Sequence, residues 1–428
     1  MIKILTISIN TMKHWAYLLS CLFLLLSCGE SDKPINNEPE TEESPLQALG
    51  LPDTGLPVIV INTPGAKTID SKEDWIEGAS VKIYNIKGEI ETEASTAIKG
   101  RGNTTWSYPK KPYTLKLDSK TEILGMPKHK RWVLLANWMD RTMMRNDISL
   151  EMGRRSKALE WTPRGQFIEL VINNRHLGNY YLCEQIKIDE SRVNISELDE
   201  NATEGEDITG GYLMELDVYF DEQYKFYSSI FSLPYMFKDP DEVNSAQFDY
   251  MKQYVNEMET ALRDPVKFES REFDNFMELK SFADWWIINE LVCNFEAKHP
   301  KSCYIHKDKG GKIVAGPLWD YDWETFTYHT TAHIADKLYY KELFSDKEFR
   351  NIVKAQWDIL KPLFETIPDY IDQQAQALEK SDAINSQMWP ISVDVNGDTK
   401  DSFSVAISKM KDNYTKRLKW IDGYISNL

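Results

Sequence analysis

A chain of 428 residues with a formal net charge of −17 lacks the basic footprint that a nucleic-acid partner demands. Its hydrophobic content of 42% and aromatic content of 12% exclude a disordered polymer and are enough for one large domain or two intimate lobes. Three of the five cysteines (Cys183, Cys293 and Cys303) fall in the body without C-x-x-C spacing, which argues against structural zinc and for at most one disulfide.

At the N-terminus, Met12-Lys13-His14 precedes an apolar run from Trp15 to Leu26, too short to span a bilayer and shaped like a secretory signal. Leu25-Leu26-Ser27-Cys28 closes it in the manner of a bacterial lipobox, so Cys28 is the expected lipidation site. Membrane contact is expected through that lipid alone. The acidic start Glu30-Ser31-Asp32 resembles the export tags of surface lipoproteins, and that resemblance implies an outer membrane, facing the periplasm or the surface. Residues 29–56 are polar and acidic and read as a disordered tether, with the folded body at 57–428.

The body opens with β-type segments at Val58–Ile61, Val81–Tyr84 and Thr96–Lys99, a meander by their turn spacing. Gly100-Arg101-Gly102-Asn103-Thr104-Thr105-Trp106 follows. Its glycines let backbone approach a ligand closely, and its side chains supply donors. Lys110, Lys111 and Lys116 come next; the strand Tyr113–Leu117 puts Tyr113, Leu115 and Leu117 on one face and Thr114 and Lys116 on the other. A Gly-rich turn beside lysines suits a polyphosphate, although a solvated hairpin has the same composition. Trp132–Leu135 is a further strand, and Asp140 is placed to cap a helix through Ile148 and Met152. Phe167–Ile172 and Tyr180–Cys183 form a hairpin about Asn173-Asn174, leading to Glu184, and Gly210–Asp217 ends a strand in acids.

From about Gln247 helical periodicity takes over, with Tyr250, Tyr254, Met258 and Leu262 on one stripe and a dense apolar run at Phe282–Val292. Asn294-Phe295-Glu296 follows that run, and the strands Cys303–His306 and Lys312–Ala315 pair across Lys309-Gly310-Gly311. Then comes Gly316-Pro317-Leu318-Trp319-Asp320-Tyr321-Asp322-Trp323. In an extended segment Asp320 and Asp322 share a face, with the aromatics opposite, and two hard oxygen donors side by side suit Mg²⁺ or Mn²⁺. The fold class these elements define is α+β, β-rich over 57–240 and mainly helical over 241–428.

Several of these strings, in this order, resemble blocks of the CotH spore-coat kinase-like family. They are Lys99–Trp106 with Lys111-Pro112-Tyr113, Ala136–Asp140 with Met144-Arg145-Asn146, Gly178–Ile186, Gly210–Asp217 and Pro317–Asp322. The resemblance implies a divergent two-lobed kinase-like fold and a secreted atypical kinase, transferring the γ-phosphate of ATP to Ser or Thr of a protein. It makes Asp320 the metal-binding catalytic acid, with Asp322 as second ligand. Arg101 and one of Lys111 and Lys116 would bind the nucleotide, with Glu184 positioning that lysine. Glu296 stands where the family has an Asp acting as base, which keeps the carboxylate and adds a methylene. The aromatic that stacks on adenine is replaced by Ile313, leaving Trp106, Tyr108 or Tyr113 for that task. Those departures keep open a catalytically weak, pseudokinase-like surface-binding or adhesion module. A glycoside hydrolase built on the paired acids is the third reading.

Overall fold

A computed structural model describes residues 50–428. The expected lipobox at Cys28 and most of the tether lie outside the described residues. Thr54 and Leu56 are already buried, so the body begins slightly before residue 57.

Seven strands close into a barrel in the order β1-β2-β3-β4-β5-β7-β6. They are β1 Val58–Asn62, β2 Ile76–Tyr84, β3 Ile90–Gly100, β4 Tyr113–Ile123, β5 Met126–Leu135, β6 Gly165–Ile172 and β7 Arg175–Glu184. The meander is antiparallel throughout, and closure comes from the parallel pairing of β1 with β6. Alternation along each strand fills the interior: Ile59, Ile61, Ile98, Leu115, Leu117, Trp132, Leu134, Ile168 and Leu170 form one buried cluster. Asn173 and Asn174 both take positive φ (50° and 61°), the geometry a two-residue hairpin turn needs.

A second sheet runs β12-β11-β8-β10-β9, from β8 Tyr212–Leu216, β9 Lys225–Tyr227, β10 Pro234–Asp239, β11 Cys303–Lys307 and β12 Ile313–Ala315. Because β11 pairs with β8, the division expected at 240/241 runs through a sheet shared by both halves. Strands do concentrate in the N-terminal half and helices in the C-terminal half, an α+β arrangement. In place of a clear kinase-like two-lobed fold the N-terminal strands form a seven-stranded barrel, closed by the β1–β6 pairing.

The long helices are α1 Arg145–Arg155, α2 Ser245–Arg263, α3 Leu279–Leu291, α4 Lys347–Phe364, α5 Ile367–Met388 and α6 Phe403–Ser426. An Asn244/Gln247 capping box starts α2. Every residue of α3 except Lys280 is buried, so this helix is the axis of the larger core. Asp140 does not cap α1 as expected, since Asn137 to Met144 fold into turns first and Met144 is the cap. Asp140 nevertheless accepts the Arg145 backbone N–H at 2.8 Å. The three body cysteines are free and buried. No helix among the described residues is long and apolar enough to cross a membrane.

Candidate functional site

Where the barrel rim meets the second sheet lies a cleft of about 440 Å³, within the usual range for a small-molecule site. One wall is the turn between β3 and β4. Gly100 lies under the Trp106 ring, where an added Cβ would come within 2.3 Å of ring carbons, and Gly102 has φ +84°. Arg101, Asn103, Thr104 and Tyr108 line this wall. Tyr108 packs on Trp138, ring centroids 4.8 Å apart, and both rings face the cleft.

The floor is one face of the sheet. Alternation along β8 sends Tyr212, Met214 and Leu216 into the helical core and turns Glu215 toward the cleft, with Asp217 just past the strand end. Glu215 stands in register with Met236 of β10 and Tyr304 of β11, and Lys238 lies two residues further along β10. Lys238 pairs with Glu215 at 3.2 Å and with Glu222. Burial pushes the Glu215 carboxyl up to about 7, against the pull of Lys238.

The opposite wall comes from two loops. After α3, Asn294 Oδ1 accepts the Glu296 N–H at 3.1 Å and sets that carboxylate facing the cleft, where Lys301 holds its Oε1 at 2.5 Å. After β12, the turn carrying Asp320 and Asp322 brings both acids to the cleft. It does so in a way the pleat did not foresee. Asp320 has φ +67°, so the segment is a turn with no strand alternation, and Trp319 and Trp323 line the same cleft as the acids. Tyr321 alone of the three aromatics points into the core, where its hydroxyl donates to Asn289 Oδ1 at 3.1 Å.

Burial, then Glu296, raise the Asp320 carboxyl to about 6, with Arg101 opposing. Burial and Asp320 push Asp322 well above the carboxylate range. Burial also raises Glu296 and Asp217. The cleft therefore holds carboxylates close enough to resist ionising together. Seven carboxylates line it against four basic side chains, an excess that favours cation binding. No three His, Cys, Asp or Glu side chains among the described residues form a ready-made metal site. Asp320 and Asp322 supply two carboxylate groups, the type and number of protein ligands with which Mg²⁺ is commonly held in phosphoryl-transfer sites. The residues present fit that ion.

The structure brings Arg101, Glu296, Asp320 and Asp322 to one cleft. It does not bring Lys111, Lys116 or Glu184 there. Lys111 Nζ donates to the Trp106 carbonyl at 2.6 Å and closes its own turn. Lys116 is exposed on β4, because alternation sends its neighbours Leu115 and Leu117 inward. Glu184 is buried in a two-point ion pair with Arg164, at 2.9 and 2.8 Å, so it positions no lysine. Lys110 borders the cleft but turns its amine to the carbonyls of Ala136 and Asn179 and to Asn385 Oδ1; burial lowers it to about 7. Ile313 is buried in the core and Tyr113 stacks on Tyr180 inside the barrel, so of the rings considered for a base only Tyr108 faces the cleft.

Beside Arg101, the lysines whose amines meet acids of the cleft are Lys238 and Lys301, and neither lies in a motif that marks it in the sequence. Lys238 sits on a six-residue strand that opens with Pro234 and lacks clear polar alternation. The Glu215-Leu216-Asp217 spacing at the end of β8 was the available clue, two acids separated by one apolar residue.

An acidic pair, Arg101, Lys238 and Lys301 thus line one concave cleft in an α+β body. A family model described as CotH kinase protein matches residues 98–421, well over half of the chain. The chain belongs to the CotH kinase family and is kinase-like. No curated protein matches it.

Proposed function

We propose that the cleft binds ATP with Mg²⁺ or Mn²⁺ and that the chain transfers the γ-phosphate to a Ser or Thr hydroxyl of a protein. The observation that carries this reading is the convergence of Asp320, Asp322 and Glu296 opposite Arg101 and Lys238 in one cleft. Asp320 and Asp322 would hold the ion, which would supply positive charge to offset the negative charge of the phosphates. Arg101 and Lys238 take the remaining phosphate charge, replacing the assignment to Lys111 or Lys116. Tyr108 and Trp138 offer ring faces to the base. Glu296 accepts the proton of the incoming hydroxyl through the carboxylate oxygen that Lys301 leaves free.

Glu296 decides how far the reading extends. Its ion pair with Lys301 favours a second reading, a nucleotide-binding scaffold with little transfer. Removal of a positioned base costs about 10²–10⁴-fold in rate. Glu296→Gln is expected to lose that much of the turnover while binding nucleotide as wild type. Glu296→Asp shortens the reach by one methylene, and a displacement of about 1 Å can itself cost about 100-fold. Radiolabelled transfer to a mixed protein substrate separates the outcomes. Undiminished transfer by Glu296→Gln removes Glu296 from the role of base. Folded wild-type protein that binds nucleotide but transfers nothing establishes the scaffold reading.

We also place the body outside the cytoplasm, tethered by lipid at Cys28 to an outer membrane, supported by the signal-like run and the Leu-Leu-Ser-Cys string. Cys28→Ser is expected to move the protein from the membrane to the soluble fraction. Unchanged membrane association of that variant would contradict the assignment.

A further inference from the structure

The turn that carries both metal-site acids is irregular, and three buried amide or guanidinium side chains hold its backbone from behind. Asn146 Oδ1 accepts the Tyr321 N–H at 2.7 Å, and its own amide is oriented by donating to Asn137 Oδ1 at 3.0 Å. Asn396 Nδ2 donates to the Asp322 carbonyl at 2.9 Å, and Asn396 Oδ1 accepts the Thr325 N–H at 3.4 Å. Arg145 Nε donates to the Thr325 carbonyl at 3.3 Å. The guanidinium is fixed in turn between Asp140 and Asp398, the latter at 2.5 Å. Arg145, Asn146, Asn396 and Asp398 are each at most 6% exposed. Two distant pieces of chain thus meet on one turn: the start of α1, and the loop between α5 and α6.

The side-chain N and O atoms of this buried network are hydrogen-bonded except Asp398 Oδ1, and a network so nearly satisfied holds one geometry. The hydrogen bonds fall on the peptides of Tyr321, Asp322 and Thr325, which set where the two carboxylates point. Asp320 sits in the left-handed region at φ +67°, a conformation that an Asp keeps when surrounding contacts determine it.

We propose that Asn396, together with Arg145 and Asn146, is a positioning residue for the metal-binding turn: it holds the Asp322 peptide so that Asp320 and Asp322 present their oxygens to one ion. This rests on the reading of Asp320 and Asp322 as the metal-holding pair. It assigns a role to the Met144-Arg145-Asn146 string, and it makes a loop far along the chain a determinant of metal affinity. Groups that orient metal ligands typically change affinity by about 10–100-fold when removed.

The test is Mn²⁺ titration by calorimetry, in the presence of a non-hydrolysable ATP analogue, on full-length protein. It is paired with hydrogen exchange over residues 319–326. Asn396→Ala is expected to weaken Mn²⁺ binding at least tenfold and to speed exchange at the Thr325 amide. Ser408→Ala is the control: it removes an exposed hydrogen bond to the Ser404 carbonyl within α6 and none of the hydrogen bonds that hold the turn. That control should bind Mn²⁺ as wild type. If Asn396→Ala does not fold, Asn396→Asp replaces it, keeping the acceptor for Thr325 while losing the donor to Asp322. Wild-type Mn²⁺ affinity and unchanged exchange in a folded Asn396 variant overturn the proposal. If wild-type protein binds no Mn²⁺, the metal reading falls separately. Exchange then decides whether Asn396 holds the turn, and unchanged exchange overturns that as well.

Discussion

Asp320→Asn is expected to abolish phosphoryl transfer and, at pH 8, to make the ligand-free protein more stable. The two effects have one cause. Burial and the facing Glu296 raise the Asp320 carboxyl to about 6 from its ordinary 3.8. Between those values the folded protein keeps a proton that the unfolded chain has released. Stability from this group is therefore full below about 4, falls as pH rises through 6, and is absent above it. Asn carries no charge and does not incur that loss. The stability difference between variant and wild type should grow from near zero at pH 4 to on the order of 1–3 kcal/mol above pH 6. Transfer should fall at least about 10³-fold, because an uncharged amide cannot replace an anionic metal ligand in stabilising the transferring phosphoryl group. Thermal melts at pH 4.5 and 8 beside a transfer assay check both signs. A variant that is inactive because it is unfolded would show the opposite stability change.

The second large effect concerns the support beneath the cleft. Arg417 of α6 and Glu290 of α3 form an ion pair at 3.0 Å, both side chains at 0% exposure. Glu290 also accepts the backbone N–H groups of His333 and Ile334, at 2.8 and 2.6 Å. Arg417 donates further to the carbonyls of Glu290 and His329, at 2.9 and 2.6 Å. One cation thus ties the final long helix to the helix whose end leads to Glu296, and to the segment after the turn carrying Asp320 and Asp322. Arg417→Met leaves a buried carboxylate without its partner, at an expected cost of about 3–5 kcal/mol. The urea midpoint should fall with the slope unchanged. Adding Glu290→Gln should recover part of the loss, since the unpaired charge is then gone. A single variant within about 0.5 kcal/mol of wild type would contradict this account.

Much of the fold was legible because its periodicities are strong. The Tyr113–Leu117 alternation, the Asn173-Asn174 turn and the 303–315 hairpin all follow from local chemistry, and the structure has them. Barrel closure was not legible, because the β1–β6 pairing joins segments more than 100 residues apart and leaves no local mark. The string Trp319–Trp323 drew attention to two acids that do line the cleft, but a left-handed Asp320 brings them there where a pleat was expected. Lysine count near the glycine turn misled for a different reason. Lys111 spends its amine on the Trp106 carbonyl of its own turn and Lys110 on partners far along the chain, while Lys238, two residues beyond the register partner of Glu215, reaches the cleft through its ion pair with that acid. Glu184 went the same way, its partner Arg164 fixed by the β6–β7 hairpin.

The most direct test of the central claim is calorimetric titration of Mg²⁺·ATP into the wild-type protein and into Asp320→Asn. Saturable one-site binding that needs the divalent ion and disappears in the folded Asn variant is the predicted result. Binding that is equal in the two proteins, or absent from folded wild type at millimolar nucleotide, would contradict it.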